Sequence, residues 1–334
     1  MQRKLAALLA LTASLALAQA HAADFKPRTI KISYGTAEDH PFGIGVNKFV
    51  ELLAQKSGGQ MKAKGFAQGQ LGAEVPSLSS AQGGVIEMAV TSTSSVVGNV
   101  RDFALFDFPY LFANEKEADM LLDGPVGKAL LDRLPEKNLV GLCYWESGFR
   151  NLTNNKRPIN TVEDVRGLKV RTIQNPVFLD TLSAFGSNAV PMPFTELYSA
   201  LETKAIDGQE GPYATIYTSK IYEVQKYLSA TKHIYGAVVV IVSKKFWDQL
   251  SGDEKKAMND SCAEARDYER KVNREMTPKS LAELKAKGMI FNEIAPQEMA
   301  KFHASVKPVV DKHASGVDDR LVKQAMAAIQ ASRK

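Results

Sequence analysis

The order strand, helix, strand, helix, strand is written twice along this chain, and that repetition limits the fold more than any other feature. In the first half, Thr29 to Thr36 reads as a strand, and Val46, Phe49, Val50 and Leu53 then fall at i, i+3, i+4 and i+7, the spacing of one helix face. Met61 to Ala67 reads as a second strand, Ala73 to Gln82 as a helix stopped by Gly83-Gly84, and Val85 to Val90 as a third strand. In the second half Thr161 and Asp164 stand at capping-box spacing, and Gly167 releases the chain into a strand over Leu168 to Ile173. Asn175-Pro176 opens a helix that stops at Gly186. Ala189 to Met192, Thr195 to Lys204 and Ala205 to Gln209 complete the second unit as strand, helix and strand. Strands joined by helices run parallel through right-handed crossovers, and the helices cover both sheet faces. Two such units predict an α/β protein of two lobes with mainly parallel sheets.

The remainder ties the lobes together. Ala237 to Val242 is a continuous apolar run, the pattern of a strand buried on both faces, and it reads as the chain returning to the first lobe. Ser251 and Glu254 form a capping box for a long lobe-spanning helix from Gly252 to about Gly288, with Pro278 expected to break or kink it. After Pro296 the pattern is helical, with an interruption expected at Pro308. The division that follows is residues 24–147 plus 237–276 for lobe I and 148–236 plus 277–334 for lobe II. Several crossings and no flexible linker predict a hinged clamshell.

Residues 1–23 read as a signal peptide rather than as fold: Arg3 and Lys4, an apolar run from Leu5 to Ala18, and an Ala20-His21-Ala22 cleavage site. Nothing later approaches the roughly 18 to 20 apolar residues that a membrane helix needs. The expected location is periplasmic. The formal charge of +5 includes the leader's Arg3 and Lys4, and with 42 basic against 37 acidic residues it gives no argument for nucleic acid. Cys143 and Cys262 would sit in an oxidising compartment, and their positions leave pairing open.

In open parallel sheets the ligand crevice lies beyond the carboxyl ends of the strands. In the second unit those ends carry Arg171, Pro193-Phe194 and Gln209-Glu210-Gly211; in the first they carry His40, Glu74 and the hydroxyl-rich run Thr91 to Ser95. An arginine on one wall facing hydrogen-bonding groups on the other describes an anion clamp, because a guanidinium holds a carboxylate through two parallel bonds. Each group also has a plain alternative. Arg171 either pairs internally with Glu210 or Glu163, or is left for a ligand. His40 either opens a loop or touches a ligand, the hydroxyls either cap a turn or line a site, and Phe194 either staples a helix or packs on a ligand. Enzyme signatures are missing: there is no G-x-S-x-G, H-E-x-x-H, C-x-x-C or P-loop, Gly43-Ile44-Gly45 lacks the third glycine of a dinucleotide fingerprint, and the histidines are scattered. The reading is a non-enzyme with no metal and no cofactor. A secreted hydrolase is the alternative from another class.

The runs SGFRNLTNNKRPINTVEDVRGLKVRTIQNP, PMPFTELYSALETKAIDGQEGP and KIYEVQKYLSATKHI resemble the solute-binding proteins of tripartite ATP-independent periplasmic (TRAP) transporters. GQLGAE and FDFPYLF in the first half are similar to that family too. The resemblance is dense from Tyr144 to Trp247, thinner over Lys31 to Ala113, and rests on several ordered blocks. It implies a two-lobed periplasmic binding protein that captures a small organic acid and delivers it to small and large membrane-embedded permease subunits. A receptor presenting its ligand to a sensor is the alternative within that class. A monomer is expected.

The resemblance also implies roles for residues. Arg171, in the G-L-K-x-R block, corresponds to the main carboxylate-binding arginine, Arg150 to an assisting arginine, and Phe194 to an aromatic that packs on the ligand. Glu74, Ser92 and Thr93 correspond to first-lobe positions that tune specificity. Where the family commonly has asparagine after D-G-Q-E, this chain has Gly211, so Gln174, Asn175, a backbone amide or water is expected to take the asparagine's place. The expected ligands, in order, are a sugar acid or hydroxy acid and then a C4-dicarboxylate.

Overall fold

A computed structural model describes residues 24–333; the signal-peptide reading of residues 1–23 lies outside them. The first unit runs β1 (Arg28–Tyr34), α1 (Pro41–Lys56), β2 (Met61–Phe66), α2 (Glu74–Gly83) and β3 (Met88–Ser92). Two short helices follow, α3 (Glu115–Asp123) and α4 (Pro125–Leu131), then β4 (Leu139–Phe149) and the crossing strand β5 (Asn151–Asn154). The second unit comprises β6 (Lys169–Thr172), α5 (Pro176–Ala184), β7 (Asn188–Pro191), α6 (Leu197–Glu202) and β8 (Gly208–Gly211). After α7 (Tyr213–Thr218) come β9 (Tyr227–Ala230), β10 (Tyr235–Ser243), α8 (Lys244–Trp247) and α9 (Gly252–Ala286). The chain ends with β11 (Ile290–Glu293), α10 (Pro296–Ala314) and α11 (Asp319–Ser332).

These strands form two sheets, ordered β2-β1-β3-β10-β4 and β11-β9-β5-β8-β6-β7. Parallel pairing holds inside each unit, as expected, and between β9 and β11. Both sheets are nonetheless mixed rather than mainly parallel. Every antiparallel pair involves β5 or β10, strands of the connections that run between the lobes and so enter their sheet from the opposite direction.

β10 shows how the sequence builds the first lobe. Val238, Val240 and Val242 face the core beneath α1 and α9, while Ala237, Val239 and Ile241 face a second core on the opposite side. A strand with period-2 alternation cannot be apolar on both sides unless both sides are covered. The second sheet is sandwiched likewise, with Leu152, Leu168 and Val170 toward α5 and α10 and Leu228 toward α6 and α7.

Several expectations shift on contact with tertiary packing. The third strand begins at Met88, not Val85, because Gly84 turns the chain at a φ of 73° and pairing with β1 starts at Ile32 opposite Met88. β8 begins at Gly208 because Asp207 instead accepts the Lys169 N–H through its carboxylate, at 2.9 Å. The helix expected over Thr195 to Lys204 is a turn of 3-10 helix followed by the shorter α6. Neither Pro278 nor Pro308 ends its helix. Each removes one backbone donor, and packing on both sides of it carries the helix through; α9 buries Met258 and Cys262 in the first lobe and Leu284 in the second. At 35 residues, α9 is about 50 Å long.

The C-terminal segment also departs from its expected place in lobe II. Leu321, Ala325 and Ile329 of α11 join the first lobe's core with Leu121, Val126 and Leu130. The apolar stripe of α11 is satisfied there by α3 and α4, not by the second sheet.

Cys143 on β4 and Cys262 on α9 are joined in a disulfide, with Cα atoms 6.1 Å apart and a sequence separation of 119 positions. The bond fixes the long helix to the edge strand of the first sheet. Closing so long a loop restricts the unfolded chain strongly. Replacing both cysteines with alanine is expected to lower unfolding free energy by about 3 to 5 kcal/mol in urea titrations. A loss well under 1 kcal/mol would show that the bond carries little of the stability.

Candidate functional site

Arg171 is the third of the four residues of β6, pointing to the face where the two lobes meet, and it is 2% exposed. Its Nε and Nη2 both donate to the Met192 carbonyl, at 2.9 and 2.7 Å. The guanidinium lies over the Phe194 ring, 5.8 Å from its centroid. Among the described residues no carboxylate forms a salt bridge with it, so neither internal pairing weighed for it occurs: Glu163 is exposed elsewhere and Glu210 is taken. Burial lowers Arg171 to about 10, with Arg150 lowering it further and Glu210 and Glu74 opposing, so it keeps its charge at neutral pH.

Glu210 belongs to Arg150. Arg150 Nε and Nη2 grip the two carboxylate oxygens as a fork, the second at 2.9 Å, and Thr172 Oγ1 adds a bond of 3.0 Å. His233 Nε2 stands 3.5 Å from the same carboxylate. Burial alone would raise Glu210, but Arg150 and His233 overcome it and hold the carboxyl down at about 2. Arg150 therefore arrives at the site already neutralised, and Arg171 does not.

A cleft lies between the lobes and is lined from both of them. Six residues expected at the site line it: Arg171, Arg150, Glu210, Phe194, Glu74 and Ser92. Phe42, Thr36, Ser147, Ile173, Thr215 and Val238 line it as well, and the sequence reading did not name them. Thr36 lies two residues past β1, where the strand-end rule pointed; Ser147 and Val238 lie inside long strands and carry no such signal. The Thr36 hydroxyl is buried without a partner among the described residues.

The other expected residues sit behind the wall. His40 caps α1, its Nδ1 accepting the Phe42 N–H at 3.1 Å and its Nε2 lying 3.0 Å from Thr215 Oγ1 across the cleft. Burial drops it to about 3, so it stays neutral. Thr93 faces inward, its hydroxyl donating to the Ala237 carbonyl at 3.2 Å. Gln174 is exposed, beside a small side chamber that Glu74, Arg171 and Phe194 share. Asn175 caps α5 with its oxygen and donates its amide to the Ser94 carbonyl and to Asp107, each at 2.9 Å, so it is not free to stand in for the missing asparagine. Gly211 ends β8 outside the cleft lining, and a side chain there would meet Gln209 Oε1 3.2 Å from its Cβ. Asp107, inside FDFPYLF, escaped notice; it is buried, accepts from Ser94 Oγ at 2.7 Å, and is raised by burial to about 7 against the pull of Ser94, Asn175 and Arg150.

The lobes touch across the cleft at His40 and Thr215, at Asn175 and Ser94, and at Gly69, whose hydrogen faces Thr195 so closely that a Cβ would come within 2.8 Å of it. Two lobes on crossing strands, closed over a cleft that holds a buried cation, define a bacterial extracellular solute-binding protein. The chain belongs to the family DctP, bacterial extracellular solute-binding protein family 7, whose pattern matches residues 32–316. It is similar to the sugar acid binding protein DctPAm of Advenella mimigardefordensis, solved in complex with galactonate, at 42% identity and a TM-score of 0.90 over 92% of this chain and 99% of that one. It is 36% identical over 262 residues to the 2,3-diketo-L-gulonate-binding periplasmic protein YiaO of Escherichia coli, covering 78% of this chain and 80% of that protein. The C4-dicarboxylate-binding periplasmic protein DctP of Rhodobacter capsulatus is 33% identical over 99% of this chain and 98% of its own length. The TRAP resemblance read from the sequence is thereby shown. The family and fold are those of extracellular transport proteins that bind small organic acids.

Removing one partner of a buried ion pair strands the other. Glu210→Gln is expected to lower stability at neutral pH by about 3 to 5 kcal/mol in chemical denaturation. The pH profile checks the cause. Glu210 is depressed in the folded state, so its contribution is present above the unfolded value of about 4.3 and is lost as pH falls toward 2. The variant should show a shallower loss of stability over that window than the wild type; parallel profiles would remove Glu210 as the source.

Proposed function

We propose that this protein captures a small organic acid in the closed cleft, with Arg171 making a salt bridge to its carboxylate. The preferred class is a sugar acid or hydroxy acid, with a C4-dicarboxylate second. Arg171 supplies the decisive observation: it is buried and charged, among the described residues its hydrogen bonds go only to the neutral Met192 carbonyl, and it lines the cleft between the lobes. A buried charge without a counter-charge is costly, and an incoming carboxylate removes that cost. Arg150, held rigid by Glu210, assists from the side, and Phe194 backs the guanidinium. The family relationship supports delivery of the acid in the periplasm to the small and large membrane subunits of a TRAP permease, and we take the protein to act there as a monomer. The family and fold, those of transport solute-binding proteins, support a role in binding rather than catalysis.

Two hydrogen bonds to a charged group contribute about 3 to 6 kcal/mol together. In thermal-shift titrations with galactonate, glycerate and succinate, at least one acid is expected to stabilise the wild type in proportion to its saturation. Arg171→Ala should weaken that acid by about a hundredfold to ten-thousandfold. Arg171→Lys should recover little, since an ammonium cannot form the paired bonds. Equal stabilisation of wild type and Arg171→Ala would overturn the assignment.

A further inference from the structure

Asn175 uses its amide in two directions. Its oxygen caps α5, accepting the Val177 and Phe178 N–H groups at 2.8 and 3.3 Å. Its nitrogen reaches out of the second lobe and donates to the Ser94 carbonyl and to Asp107 Oδ2, each at 2.9 Å. Ser94 follows β3, and Asp107 ends the 3-10 turn Arg101–Asp107, so both acceptors belong to the first lobe. Val177, wholly buried, joins the first lobe's core with Phe106 and Phe108. The start of α5 is thus plugged into the opposite lobe, at a contact that no chain crossing holds together.

Asp107 is an unusual acceptor for such a contact. It is 1% exposed, and among the described residues its oxygens receive only the Asn175 amide and, at 2.7 Å, the Ser94 hydroxyl, with no cation paired to it. Desolvation penalises the charged form of such a group, and burial lifts Asp107 to about 7. The neutral acid fits the contact as well as the carboxylate does. A proton on Oδ1 donates to Ser94 Oγ, Oδ2 still accepts from Asn175, and the Ser94 hydrogen turns to Ser92 Oγ at 3.0 Å.

We propose that Asn175 and Asp107 form an inter-lobe latch, and that closing the cleft over a ligand takes up a proton from solvent onto Asp107. Ligand capture at Arg171 is what draws the lobes together, so this coupling rests on that reading and extends it. Parting the lobes returns water to the Asp107 carboxyl, whose ordinary value is about 3.9. The closed form therefore holds the proton more tightly than the open form. By linkage, closing is most favourable below about 4, weakens as pH rises toward 7, and levels off above it, where a carboxylate has to be buried. The charges that act on Asp107 are constant over that range: Glu210 is held down at about 2, and Arg150 carries a guanidinium, which proteins do not deprotonate. His40, at the other inter-lobe contact, is lowered by burial to about 3 and sheds a proton on closing, and His233 stands 3.5 Å from Glu210. Both are shared by the wild type and a variant at residue 107, so the difference between those two proteins isolates Asp107.

Asp107→Asn is a permanent copy of the protonated acid, with an oxygen for Asn175 and an N–H for Ser94. Galactonate, glycerate and succinate serve as probes, in calorimetry run in buffers of different ionisation enthalpy, which counts the protons exchanged. With an acid that binds, the wild type is expected to take up close to one proton more per ligand than Asp107→Asn at about pH 6, and no more than the variant at about pH 8.5. Asp107→Asn should bind about a hundredfold more tightly than the wild type at about pH 8.5 and about tenfold more tightly at about pH 6. A merely structural Asp107 would give the opposite sign, since damage to the contact weakens binding. Asn175→Ser keeps a helix cap but loses both amide donors, and it should weaken binding about tenfold or more at either pH. Should Asp107→Asn not fold, carboxyl-carbon NMR of the aspartate-labelled wild type gives a second reading: one aspartate titrates near 7 with the acid bound and below about 5 without it. Equal proton uptake by the two proteins, weaker binding by Asp107→Asn at about pH 8.5, unchanged binding by Asn175→Ser, or an aspartate that titrates alike in both states overturns the latch. Failure of all three acids to bind the wild type would instead overturn carboxylate capture, and the coupling with it.

Discussion

Two buried guanidinium groups share one internal counter-charge, and the rest of the site follows from how that charge is divided. Glu210 is committed to Arg150 by a forked pair of bonds and fixed from behind by Thr172. Among the described residues Arg171 hydrogen-bonds only to a carbonyl. Repulsion between the two cations, and the loss of hydration, leave the cleft electrostatically unfinished in the folded chain. An interior of ordinary globular design would match each buried charge with its own partner. Here one match is withheld, and the asymmetry between two otherwise similar arginines separates a scaffold from a receptor.

The scaffold half of that division is also the hinge. Arg150 lies between β4 and β5, where the chain first leaves the first lobe, and its backbone N–H donates to the Ile234 carbonyl at 2.9 Å while its carbonyl accepts the His233 N–H at 3.2 Å. Residues 233 and 234 belong to the returning connection between β9 and β10. The two crossings are thus bonded to each other at the residue whose side chain holds Glu210. Orientation of the ligand wall and registration of the lobes share the same few atoms.

Much of this was legible before any coordinates. The repeated unit fixed the strand-end rule, and that rule located Arg171, Glu74, Ser92, Phe194 and Glu210 at one cleft because each follows or ends a strand. The caps at Thr161, Asn175 and Ser251 were readable from side-chain chemistry and are present. What escaped is what depends on contacts distant in sequence. The partner of Glu210 is sixty residues away in the chain, and local pattern cannot choose between Arg150 and Arg171. His40 and Asn175 were read as facing a ligand, yet each spends one polar atom capping its own helix and the other on the opposite lobe. Asp107 sits in an aromatic run that reads as plain core, and only the fold brings Ser94 and Asn175 to it. The place of α11 was equally hidden, since an amphipathic stripe records that a helix is covered but not by which lobe.

The bond between Cys143 and Cys262 has a mechanical consequence for the long helix. It clamps α9 to β4 about a third of the way along, so the segment before that point travels with the first sheet as one body. Leu284, near the far end, is embedded in the other core. Any swing of one half against the other must bend the helix between these two anchors, and Pro278, which leaves a rung out of the backbone ladder, lies in that span. The rod behaves as a leaf spring gripped at a fulcrum, with its compliance confined to the stretch behind the ligand chamber.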